Sequence, residues 1–125
     1  MKIKLILNIF IIVFFIGCAP FVPVIDLTGV HQQDLIKSQK IRTYIVGQMP
    51  PDEFTVLEPL EAWSCKHSSW GRPATKGNAL RQLKLLAYRL GATAIMDVEF
   101  TRHGFDPYGT NCFNSVHASG TAIKY

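Results

Sequence analysis

Cysteine and histidine, the side chains best suited to metal ligation or nucleophilic attack, recur in the second half of this 125-residue chain as Cys65-Lys66-His67, His103, Cys112 and His117. Thiolate and imidazole are the ligands that zinc and copper prefer, so His67, His103 and His117 form a candidate metal set beside the two cysteines. Their spacing matches no recognised ligand pattern, and sulfurs bonded to each other do not coordinate as thiolates, so metal binding stands as the alternative reading. A nucleophilic Cys65 with His67 as its base is weaker still. Two positions of separation on a loop set up no hydrogen-bond geometry, and neither a third orienting group nor an oxyanion signature accompanies them. Asp97 and Glu99 could pair for acid–base work, but alternate positions on one strand are more simply a solvated face. With no phosphate-cradling glycine loop, metalloprotease helix or Ser-His-Asp pattern, the residues point away from an enzyme, from a cofactor and from a small-molecule substrate.

The third cysteine has a different context. Lys2 and Lys4 make a positive start, and Leu5 to Ile16, broken only by Asn8, makes the apolar core of a secretory signal. At about a dozen residues that run is too short to span a bilayer, which takes roughly 20. Phe15-Ile16-Gly17-Cys18 resembles the lipobox of bacterial lipoproteins, with Phe15 where Leu is usual. The resemblance implies a signal peptide over residues 1–17, cleavage after Gly17 and acyl chains on Cys18. Ala19 at the next position, rather than Asp, resembles the pattern of lipoproteins sent to the outer membrane.

Removing residues 1–17 leaves 108 residues, enough for one small domain and a tether. With Cys18 committed to lipid, Cys65 and Cys112 remain as an even pair in a compartment that permits disulfides, and the expectation is that they are bonded. Closing that loop would stabilise by up to about 4 kcal/mol in the chain-entropy model. Trp63 and Trp70 flank Cys65, while Tyr108 and Phe113 bracket Cys112. A bridge would therefore gather these four aromatics, either as packing around it or as an exposed patch that docks a partner protein. Loss of Lys2 and Lys4 lowers 13 basic residues to 11 against 9 acidic ones. A scattered net charge of +2, with no aromatic-interleaved basic tract, argues against nucleic acid as a partner.

These residues must be positioned by elements legible in the hydropathy pattern. Pro20 and Pro23 keep Ala19 to Val24 from helix, and residues 18–40 read as a semi-extended tether with weak helical content around Gln32 to Lys37. At full extension residues 19–40 would reach at most about 75 Å. Ile41 to Val46 reads as a strand ended by Gly47 to Asp52, and Phe54 to Ala62 as a second, with Pro59 arguing for an edge position or a bulge. Ser64 to Arg72 reads as a loop. Thr75 is the expected N-cap of the main helix, Ala79, Leu83, Leu86 and Leu90 its apolar stripe, and Gly91 its left-handed stop. Ala94, Met96, Val98 and Phe100 then alternate with Ile95, Asp97 and Glu99 as a half-buried strand. His103 to Asn111 is a turning loop, and Cys112 to Tyr125 a closing strand with Ala118, Gly120 and Ala122 on one side. The expected fold class is α+β: a small, mostly antiparallel four-stranded sheet with one main helix on one face, in the order β-β-α-β-β over residues 41–125.

Cys65, the helix end running into Gly91-Ala92-Thr93-Ala94-Ile95, Cys112 and Ser119-Gly120-Thr121-Ala122 together resemble the RcsF-like family of outer-membrane lipoproteins, the sensors of envelope stress. The resemblance covers residues 41–125 and the shared lipoprotein signal. More distantly, the same pattern is similar to small bacterial domains described as heavy-metal-binding. The family sensor carries two disulfides. Here Cys65 and Cys112 match one pair, while Val98-Glu99-Phe100 and Ala118 stand where the other would lie, and the family's long Pro- and Lys-rich tether is shortened. The resemblance implies a lipid-anchored periplasmic domain that binds other envelope proteins, held to the outer membrane by acyl chains; the alternatives are a small metal-binding lipoprotein and a structural envelope lipoprotein without a signalling role.

Overall fold

The computed structural model describes residues 19–51 and 53–125. The candidate signal peptide and Cys18 therefore lie outside the described residues, where none of the helices is long and apolar enough to cross a membrane.

The main helix spans Lys76–Arg89 and is delimited by its sequence at both ends. Thr75 is extended, and its hydroxyl accepts from the Asn78 amide at 3.0 Å, satisfying one free donor of the first turn. At the other end Gly91 takes φ +77°. The Gly91 amide bonds the Tyr88 carbonyl and the Ala92 amide the Ala87 carbonyl, which closes the last turn as a Schellman motif. Ala79, Leu83 and Ala87, four residues apart, are fully buried and form the stripe that meets the sheet. Leu86 lies at the margin of that stripe, and Leu90, expected within it, is the exposed cap residue.

The sheet comprises β1 (Arg42–Ile45), β2 (Thr55–Lys66), β3 (Ala94–His103) and β4 (Asn114–Lys124) in the spatial order β1-β3-β4-β2. β4 is antiparallel to both neighbours, and β1 runs parallel to β3. The fold is thus α+β with a mostly antiparallel sheet. β2 is an edge strand whose pairing also slips between Val56 and Pro59, so proline sits where an edge and a bulge coincide. β2 runs on to Lys66, which places Cys65 at a strand end rather than in the loop expected from Ser64 onward. That extension follows from unbroken pairing of Leu60 to Lys66 with Gly120 to Asn114.

One irregularity changes the expected faces of β3. Met96 pairs with Thr121 and Glu99 with Ser119, so Asp97 and Val98 stand opposite Gly120 alone. Asp97 takes φ +53°, and the extra residue of this bulge brings Ile95 and Val98 to the same, helix-covered side. Strict alternation placed Ile95 on the wetter face; the bulge buries it fully. Gly120 has to be glycine here, since a Cβ would lie 2.6 Å from Ile95 Cγ2 and 3.1 Å from the Met96 carbonyl oxygen.

Residues 19–40 are tied to the domain rather than free of it. A 3₁₀ turn at Leu27–Gly29 precedes helix α1 (Gln32–Ser38), and α1 packs on the main helix, α2 (Lys76–Arg89). The weak helical pattern becomes a real element because His31 Nδ1 caps the Gln33 amide and Ser38 is buried. Asp34 and Gln39 are bonded by Tyr88 and Lys84 of α2. The central tie is Gln82, which is fully buried. Its Oε1 accepts from the Ile25 amide at 2.8 Å, and its Nε2 donates to the Trp63 carbonyl and to Asn78 Oδ1 at 2.8 and 2.7 Å.

Two substitutions test this account. Gly120→Ala should lower the unfolding free energy by about 1–3 kcal/mol in urea titration, the cost of forcing a methyl into a filled site. An unchanged midpoint would mean that the bulge does not require glycine. Gln82→Leu strips partners from two partly buried backbone groups, each costing up to about 1–3 kcal/mol to leave unsatisfied. Amide exchange at Ile25 should accelerate in that variant well before exchange in the sheet does.

Candidate binding surfaces around the disulfide

The C-terminal ends of β2 and β3 and the start of β4 lie together, because Lys66 pairs with Asn114 and His103 with Ser115. At this end Cys65 and Cys112 are joined in a disulfide, with Cα atoms 5.5 Å apart. Cys112 is buried and Cys65 half-buried. The bridge ties two loops, 67–75 and 104–113, to the sheet, and the Phe113 amide adds a 2.7 Å bond to the Lys66 carbonyl. Within the second loop, Asp106 organises a compact turn. Its carboxylate accepts from Gly109 N at 2.8 Å, its carbonyl accepts from Asn111 N at 2.8 Å, and it bridges to Cys112.

The four aromatics expected around the bridge separate into two surfaces. Trp70 and Tyr108 are 91% and 95% exposed on the two loops, and Phe113 is 41% exposed. Phe105, absent from the sequence reading, joins them at 69% exposure with its ring 5.7 Å from that of Phe113. Its signal was available in hindsight: a large aromatic between Gly104 and Asp106-Pro107, in a loop too polar to bury it. Lys66 Nζ stands 5.3 Å over the Phe113 ring.

Trp63 belongs elsewhere. Ala62 faces the helix, so its neighbour Trp63 points to the opposite side of the sheet. There its ring lies 4.3 Å from that of His117 and 5.4 Å from that of His103, tilted by 31° and 34°. His117 pairs with Trp63 on one side and Thr101 on the other, and its Nε2 is 3.7 Å from Glu61 Oε1. Asp97 and Glu99 are both exposed, and at this end of the sheet no helix among the described residues covers the face that holds Glu61, Trp63, His103 and His117.

The candidate metal set is not assembled. The Trp63 ring is stacked against both His103 and His117, while His67 sits on the exposed loop with Nδ1 3.8 Å from the bonded Cys65 sulfur. Among the described residues no group of three His, Cys, Asp or Glu side chains is placed to hold a metal ion. The disulfide also removes Cys65 as a nucleophile.

A shallow groove of about 310 Å³ opens elsewhere, lined by Met49, Pro50, Phe54, Met96 and Asp97 among others. Among the described residues that line it, Asp97 is the carboxylate, beside apolar side chains and Gln48. Around the bridge the described residues offer rings, a few cations and a sheet face that no described helix covers.

Replacing both Cys65 and Cys112 by Ser should lower the unfolding free energy by about 2–4 kcal/mol, and reduction of the wild type should do the same. Loop cleavage by a protease within residues 104–113 should appear before cleavage elsewhere. Equal stability of bridged and unbridged protein would show that the sheet register alone fixes these loops.

No family model matches the chain, and no curated protein matches it. Among solved structures, the chain is similar to a protein of unknown function from Pediococcus pentosaceus ATCC 25745, described as belonging to the DUF74 family. The two share 18% identity over 69% of this chain and 97% of the other, with a TM-score of 0.49.

Proposed function

We propose that this chain is a lipid-anchored envelope protein, similar to the RcsF-like stress sensors, that acts by binding other envelope proteins and not by catalysis. In this reading residues 1–17 are a signal peptide, Cys18 carries the acyl chains in the outer membrane, and the disulfide-stapled domain stands in the periplasm. The observation that carries the binding role is the sheet face near the bridge that no described helix covers, where the Trp63 ring lies against His117 and His103 beside Glu61. A large ring fixed on a flat strand surface, ringed by groups that can exchange hydrogen bonds, is the composition of a binding hot spot.

One departure from the resembling family has a physical counterpart in the packing. Phe100 lies directly opposite Ala118 across β3 and β4, and both face the helix. These are positions where the family's second bridge would lie, and a ring packed over a methyl fills that space with apolar contact. The domain then depends on one covalent link where the resembling sensor has two.

Two measurements test the proposal. The intact mass of membrane-extracted protein should show acylated Cys18, with no alkylation of Cys65 or Cys112 until reduction. Overexpression should raise an envelope-stress reporter, and Ser119→Arg should abolish that rise without changing the melting temperature. Ser119 faces Glu61 and Glu99 in the register, so an arginine there finds opposite charge and leaves the sheet intact while obstructing the face. A mass without acyl chains would sink the anchored reading, and a silent reporter would sink the signalling one.

A further inference from the structure

The described chain begins at the disulfide end. Asn111 Nδ2 donates to the Ala19 carbonyl at 2.7 Å, and the Phe21 amide donates to the Thr110 carbonyl at 3.0 Å. Thr110 and Asn111 immediately precede Cys112, so the segment that starts at Ala19 is fastened beside the bridge. In the sequence Cys18 directly precedes Ala19, and consecutive Cα atoms are about 3.8 Å apart. An anchor at Cys18 would therefore bring the loop end of the domain, and not its far end, to the membrane.

That end carries the side chains a bilayer interface takes up. Trp70, Phe105, Tyr108 and Phe113 project from two separate loops, and Phe21 is exposed next to Thr110. Trp and Tyr are the residues that settle at headgroup level, with an apolar ring inward and a polar edge in water. Lys66, Arg72, Lys76 and Arg102 belong to the same end by their place on β2, the first loop, the start of α2 and the end of β3. The acidic residue among them, Asp106, has its carboxylate engaged by Gly109 within its own turn. Cations around exposed rings match an anionic headgroup layer.

We infer that the loop end bearing Trp70, Phe105, Tyr108 and Phe113 lies on the interface of the bilayer that holds Cys18. This rests on the lipid-anchored reading above, and it gives the domain a fixed orientation. α2 starts at this end and runs away from it, so Leu90 sits at the distal pole, about 21 Å along the helix axis. The face with Trp63, His103, His117 and Glu61 stands across the membrane plane, open to a protein arriving from the side.

The test uses the acylated full protein in vesicles of phosphatidylethanolamine, phosphatidylglycerol and brominated phosphatidylcholine. In a Trp63→Phe background Trp70 is the remaining tryptophan. Its emission should shift to the blue and be lost to the bromine atoms, whereas a tryptophan placed by Leu90→Trp in a Trp63→Phe, Trp70→Phe background should keep its emission. Acylated protein with unquenched Trp70, or with equal quenching at both poles, would overturn the orientation while leaving the anchor standing. Protein without acyl chains by mass would overturn the anchor and the orientation together. A photocrosslinker replacing Tyr108 in cells should yield lipid adducts; a discrete protein adduct would make this end a protein-docking surface instead.

Discussion

The single extra residue at Asp97 sets which side chains the two central strands turn toward the helix. Side chains alternate along a strand, so Ile95 and Val98, three apart, would face opposite ways in a regular strand. Asp97 in the left-handed region absorbs one position, and both then pack under α2. The same step shifts the parallel pairing with β1, where Thr43 faces Ile95 and Ile45 faces Val98. On β4 the bulge is met by Gly120, between Ala118 and Ala122, and the three small residues let Ile95 and Val98 fill the space. Core, register and the position of the parallel edge strand all follow from that one backbone choice.

Much of this was legible in the sequence because the signals were local. Thr75, the period of Ala79 and Leu83, and Gly91 marked the helix ends through capping chemistry that needs no tertiary partner. Pro59 announced an irregular edge for the same reason. Even the bridge was expected from counting cysteines, given the compartment that the signal-like start of the chain implies. The bulge was hidden, since Asp97 fits a solvent-facing position of an ordinary alternation as well as it fits a left-handed one. α1 was under-read because its stability comes from packing on α2, and a seven-residue helix has little of its own. The binding surfaces were half legible: the aromatics near each cysteine were visible, but whether a ring faces solvent or stacks on its neighbours depends on strand parity. Trp63 therefore parted from Trp70, Tyr108 and Phe113.

Gln82 gives the early segment its place. A buried amide is costly unless each donor and acceptor is used, and Gln82 uses its oxygen on Ile25 and its nitrogen on Trp63 and Asn78. One side chain thereby joins the pre-domain segment, the helix and the edge strand. Residues that read as a free tether become a strap along the domain, closed at one end by Asn111 and Thr110 and at the other by α1 against Tyr88 and Lys84. The reach computed for an extended chain is then an upper bound that the fold does not use, and the domain keeps close to whatever holds its first residue.

Closeness changes the energetics of a weak surface. Exposed rings such as Trp70 and Tyr108 have modest affinity for an interface on their own, and a soluble domain displaying them risks association with other proteins. On the proposed reading, an acyl anchor would convert their encounter with the bilayer into an intramolecular event at high effective concentration, so small contributions would suffice. The bridge and the Asp106 turn matter here because they hold both loops in one arrangement before contact, which removes an ordering cost from insertion. If the domain is fixed at two points as proposed, by lipid at Cys18 and by rings at its loop end, it would no longer tumble. Its sheet face would then sweep a plane rather than a sphere, and a partner confined to the same layer would meet Trp63 in a single orientation.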